Sequence, residues 1–129
     1  MAYEIPVLSD SLTSTNDLST HQYKFVKLSA DRTIVLCAAA TDIPIGILQN
    51  KPTAGQTASV MLAGVSKVSS NEALTAGWLV GTSSDGQADR KIPGTDTTEF
   101  YVGQVIEGTG AAGGLGTVLF DCANPSKAT

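Results

Sequence analysis

Aromatic side chains are scarce in this chain of 129 residues: one Trp, three Tyr and three Phe, 5% of the sequence. Charged residues are few as well, at 16%, and the 12 acidic against 8 basic residues leave a net charge of −4. That is the wrong sign for an electrostatic footprint on nucleic acid, so no nucleic-acid partner is expected. A single histidine, His21, leaves one candidate for histidine-dependent catalysis. The two cysteines, Cys37 and Cys122, are too few for a disulfide scaffold and lack metal-ligand spacing. No apolar run approaches the roughly 18 residues that span a bilayer, which argues against a membrane partner. The opening residues Met1 to Pro6 carry neither the basic start nor the apolar stretch of a secretory signal, so synthesis in the cytoplasm is the expectation.

What the chain has in quantity is glycine, serine and threonine, together 40 residues, beside a hydrophobic fraction of 42%. The mixture is too apolar for a disordered protein and too poor in Glu, Lys and Leu for a helical bundle. It predicts one all-β domain, a compact β-sandwich or small β-barrel of short strands. Tyr23 to Leu28, Ile34 to Leu36, Ile45 to Leu48, Thr57 to Leu62, Val65 to Val68, Trp78 to Val80, Tyr101 to Ile106 and Thr117 to Phe120 read as those strands. Between them lie turn signals such as Lys51-Pro52-Thr53-Ala54-Gly55 and Ser83-Ser84-Asp85-Gly86. Ser69 to Leu74 offers a cap and at most one helical turn.

Two halves of the chain echo each other. Ile45-Gly46-Ile47-Leu48, a glycine loop and Val60-Met61-Leu62 return as Val102-Gly103-Gln104-Val105, a glycine loop and Val118-Leu119-Phe120. Upstream, Phe25-Val26 sits like Trp78-Leu79. This predicts a duplicated hairpin unit folded around one core. The first 20 residues differ from the rest: Glu4, Asp10 and Asp17 without Lys or Arg, and a polar run from Ser9 to Thr20. They read as an extended arm over residues 1–20, followed by a β-domain over 21–123 and a flexible tail over 124–129. The arm is expected to serve attachment rather than folding of the body, with Tyr3, Ile5, Val7 and Leu12 as partner contacts.

The chemical motifs lack the context their chemistry needs. Gly108-Thr109-Gly110-Ala111-Ala112-Gly113 matches a dinucleotide fingerprint, but a strand rather than a helix is expected after it. Gly81 to Gly86 has phosphate-loop spacing, with Gln87-Ala88 where Lys and Ser/Thr are required. His21 has no Gly-x-Ser-x-Gly elbow to work with. Cys37 and Cys122 read as buried thiols, and a bond between them turns on geometry. Asp85, Asp89, Asp96 and Glu99 read as a solvated loop, interrupted by Arg90-Lys91. Trp78 is a core anchor or an interface contact. No catalytic residue, cofactor or metal ligand is expected, and the chain is not expected to be an enzyme.

The series Tyr23-Lys24-Phe25-Val26-Lys27-Leu28-Ser29-Ala30-Asp31, Ile45-Gly46-Ile47-Leu48-Gln49-Asn50-Lys51-Pro52, Ala63-Gly64-Val65-Ser66-Lys67-Val68 and Leu74-Thr75-Ala76-Gly77 resembles bacteriophage capsid cement (head decoration) proteins over roughly residues 23 to 120. The resemblance implies a virion protein on the capsid exterior that binds the major capsid protein and itself, as a homotrimer. Trp78 departs from that pattern, where a polar or acidic residue commonly follows Thr-Ala-Gly. The alternative from another class is a carbohydrate-binding or adhesin-like β-sandwich, for which seven aromatics leave few to stack on sugars. A small hydrolase stands third, for want of a nucleophile–base pair.

Overall fold

β-branched and aromatic runs broken by tight turns leave little room for anything but strands. In a computed structural model that describes residues 2–129, the described residues form no helix. Met1, the first residue of the expected arm, lies outside them. The strands are β1 (Ile5–Ser14), β2 (Phe25–Ala30), β3 (Thr33–Leu36), β4 (Gly46–Leu48), β5 (Thr57–Ser69), β6 (Leu79–Thr82), β7 (Ala88–Arg90), β8 (Phe100–Tyr101), β9 (Gly103–Glu107), β10 (Leu115–Asp121) and β11 (Ser126–Lys127).

Nine of them share one sheet in the order β1-β3-β2-β4-β5-β10-β9-β6-β7, and β1 also pairs with β5. That extra pairing closes β1, β3, β2, β4 and β5 into a five-stranded barrel. A parallel bridge from Ser70 to Ala88 brings β7 beside the end of β5, closing β5, β10, β9, β6 and β7 in the same way. Closure removes sheet edges that would otherwise template aggregation. Strands β8 and β11 form a separate two-stranded ribbon.

The duplication is present at the level of single hydrogen bonds. Val26 faces Gly46 in the first barrel as Val80 faces Gly103 in the second. Ile47 faces Met61 as Gln104 faces Leu119, and Leu12 faces Ala58 as Val68 faces Gly116. Gly55 and Gly113, at φ +81° and +84°, donate to the carbonyls of Ser14 and Ser70, each at 2.8 Å. Only glycine takes that conformation without strain, so both loops close alike. The pairing corrects one register: Phe25 corresponds to Leu79 rather than Trp78, because Phe25 faces Ile47 as Leu79 faces Gln104.

Alternation then sorts the side chains. Leu12, Leu18, Val26, Ile34, Leu48, Ala58 and Val60 fill the first barrel. Their counterparts Val68, Leu74, Val80, Ala88, Val105 and Val118 belong to a larger cluster in the second. That cluster also takes in Phe25, Ile47 and Met61 from the outer face of the first barrel, together with Val102, Phe120 and Cys122. One barrel's outer face is thus packed against its neighbour's core.

Several expectations are corrected. Thr57 to Leu62 and Val65 to Val68 are one strand of 13 residues, not two. Gly64 bends it at φ +133°, and a Cβ there would meet the Ile5 carbonyl at 2.6 Å, so the glycine lets β1 approach. Ser69 to Leu74 makes bridges to Ala88 and Thr109 instead of a helical turn. The stretch expected as an arm is extended, but Ile5–Ser14 runs along β5 and carries Leu12, 7% exposed, into the core; Leu18 follows at 2%. Only Leu12 and Ser14 of this strand are buried, while Ser9, Asp10, Ser11 and Thr13 stay exposed, so the segment has the composition of a solvated run. The expected flexible tail is held too. Ser126 and Lys127 pair with Tyr101 and Phe100, and Ala128 is fully buried.

Candidate interaction surface

The glycine-rich loop 108–113 joins β9 to β10, so a strand stands where a phosphate-binding helix would begin. Thr109 exchanges backbone hydrogen bonds with Leu74 at 3.0 and 3.2 Å, fixing the loop as a hairpin. The second glycine motif is the β6–β7 turn, where the Ser83 amide donates to Gln87 at 2.8 Å and the Ser83 hydroxyl to the Asp85 carboxylate. His21 Nδ1 faces the Lys24 ammonium at 3.1 Å. Partial burial, then that cation, lower the histidine pKa. Its ring partner is therefore no nucleophile. Cys37 and Cys122 are free and buried; burial pushes the Cys37 thiol up to about 12 and raises that of Cys122 as well. Among the described residues no three of His, Cys, Asp and Glu gather as a metal site.

The acidic region 85–99 is more than a solvated loop. Lys91 is fully buried and its ammonium pairs with Glu99 and, at 3.5 Å, with Asp89. It also reaches the Ala40 carbonyl at 3.5 Å, across to the first barrel. Asp96 is turned to its own loop, accepting from the Ile92 amide at 2.6 Å. Nothing in the local pattern marks Lys91 as buried, since it follows two charged residues at a strand end.

Glu72 donates a carboxyl hydrogen bond to Asp89, and that bond, with desolvation and the like charge, lifts its pKa from 4.5 to about 7. Between pH 4.5 and 7 the folded chain therefore holds a proton that the unfolded chain releases. The contribution of this pair to stability falls as pH rises through that window. Glu72→Gln keeps a donor toward Asp89 without the titration. Its melting temperature is expected to exceed that of the wild type at pH 8 and to converge with it near pH 4. Equal offsets at both pH values in thermal melts would show the pair to be inert.

Of the residues expected to touch a partner, Tyr3, Ile5 and Val7 are 39%, 55% and 77% exposed. The Tyr3 amide donates to Thr117 Oγ1 at 3.2 Å, and Glu4 lies 3.9 Å from Lys67. Leu12 is a core residue of the first barrel and unavailable to a partner. Trp78 packs against the core cluster with the Arg90 guanidinium 4.0 Å over its ring, a cation–π contact.

Strand pairing brings together residues that the sequence keeps far apart. Leu79, Gln104, Leu119, Val65 and Ile5 face one another in turn across β6, β9, β10, β5 and β1. Directly paired residues project from the same face, so they form one row on the outside of the sheet. Leu119 is 53% exposed. Beside it runs an open groove of about 420 Å³ lined by Leu79, Tyr101, Gln104, Leu119 and Asn124. A smaller hollow of about 230 Å³ lies at the end of the first barrel, lined by Leu28, Ile43, Pro44 and Ile45 together with Cys122. Period-two alternation could have put Leu119 on one face with Thr117, but not told which face water reaches.

No family model matches the sequence, and no curated protein matches it significantly. Among solved structures the chain is similar to the N base of the head fiber gp8.5 of bacteriophage phi29. The two share 21% identity at a TM-score of 0.65, over 93% of this chain and 96% of the other. At that identity the likeness speaks for a common fold.

Proposed function

We propose that this protein is a structural component of a bacteriophage head, seated on the outer surface of the assembled capsid as a decoration or cement protein. The observation that carries the reading is the fold likeness, over nearly the whole of both chains, to the base of a phage head fiber. The cement-protein resemblance of residues 23 to 120 points the same way. Barrels closed by their own strands give a rigid body, and binding energy then comes from buried apolar area around Ile5, Val7, Leu8 and Leu119, which are all more than half exposed. The partners are the major capsid protein and further copies of this chain, as a trimer. A sugar-binding reading gains less, because Trp78 is engaged by Arg90 while Phe25 and Phe120 are buried.

The test is to titrate the purified protein onto heads of the phage that encodes it and follow cosedimentation. Saturable binding at a fixed ratio to the major capsid protein, with a raised temperature of head disruption, is the expected result. Heads that bind none of it, together with its absence from purified virions by mass spectrometry, would sink the proposal.

A further inference from the structure

The internal repeat leaves one docking face unfilled, and we propose that a second copy of this chain fills it, head to tail. In the first barrel the row Phe25, Ile47 and Met61 is buried to 2% exposure or less. It belongs to one continuous cluster with Val102, Phe120 and Cys122 at the end of the second barrel. The repeat places Leu79, Gln104 and Leu119 at the corresponding positions of the second barrel. That row lies open along the larger groove.

The covering end has a counterpart as well. Val102 and Phe120 correspond to Ile45 and Leu62 of the first barrel. Both are half-buried and pack on that barrel's core. Beside Ile45 stand Ile43 and Leu28, 48% and 51% exposed, around the smaller hollow. Each chain therefore carries both halves of a contact already made once inside it: an open row on one barrel and an apolar end on the other. Gln104 in place of Ile47 makes the open row tolerable in water; its amide donates to the Gly77 carbonyl at 2.9 Å. A contact between two different surfaces closes into a ring or continues as a filament. Three such contacts would make the trimer, so the inference rests on the self-association in the proposed function and is independent of head binding.

The experiment uses two full-length variants, each removing one half: Leu119→Arg in the row, and Leu28→Glu with Ile43→Glu at the end. All three positions are about half exposed, so thermal melts of both variants should match the wild type. In sedimentation over a concentration series the wild type should associate, and each variant alone should stay monomeric. An equimolar mixture of the two should form a one-to-one dimer and nothing larger, because one intact row and one intact end remain. A wild type that stays monomeric throughout overturns both self-association and this inference. A wild type that associates while Leu119→Arg does so equally, or a mixture that stays monomeric, overturns the head-to-tail surface alone.

Discussion

A chain lacking residues 2–18 will fail to fold cooperatively, whereas removal of residues 2–4 alone will cost less than about 1 kcal/mol, the scale of an exposed ion pair and one hydrogen bond. The short deletion removes the Glu4–Lys67 pair and the Tyr3 amide bond to Thr117. The longer one removes β1, whose pairing with β3 and β5 closes the first barrel. It also takes away Leu12 and Leu18, two of the residues that fill that barrel. Losing a buried leucine costs about 2–5 kcal/mol, and two of them rival the 5–15 kcal/mol by which a whole domain is stable. Strands β3 and β5 would also be left with an open edge. Circular dichroism melts should show a broad or absent transition for the long deletion and a nearly native one for the short. A sharp, native-like transition for the long deletion would mean that the first barrel stands without its closing strand.

Lys91→Ala will destabilise the protein by about 3 kcal/mol, the lower end of the range for breaking a buried ion pair. Lys91 is fully buried, while Asp89 and Glu99 keep 23% and 21% of their side chains exposed. Without the ammonium the two carboxylates lose their shared cation but keep some contact with water, which holds the loss near the lower bound. The substitution also empties the space of the lysine stem and removes the link to the Ala40 carbonyl. Lys91→Met keeps most of that volume, so it should lose less than Lys91→Ala. Pairing it with Glu99→Gln should recover part of the remainder. Urea unfolding at neutral pH reads all three as midpoint shifts at constant slope. A midpoint for Lys91→Ala within error of the wild type would show that the carboxylates are indifferent to the ammonium.

Much of this fold was legible because strands, turns and repeats are local matters. Composition and alternation gave an all-β chain of short strands, and the Gly46/Gly103 and Met61/Leu119 echoes gave the duplication. Both follow from residues a few positions apart, where turn chemistry and a period of two act directly. The polar run at residues 9–20 misled for the same reason. One apolar residue at Leu12 is all a barrel strand needs when closure hides its inner face, and closure is a pairing with residues some 45 positions away. Lys91 was equally opaque. Its carboxylate partners, Asp89 and Glu99, are near in sequence, but only the fold closes them over the ammonium and brings the Ala40 carbonyl across from the first barrel.

Residues close together along the chain settle the kind of element, the repeat, and the failure of each glycine motif to find the helix or lysine its chemistry requires. Which face of each strand meets water is set by the packing of the two barrels. That packing buries Phe25, Ile47 and Met61 against the second barrel and leaves Leu79, Gln104 and Leu119 open, although the pairing around them is the same. The difference lies in whether another barrel follows in space. A residue's neighbours along the chain set its direction from the strand, and what covers that direction depends on how whole units pack.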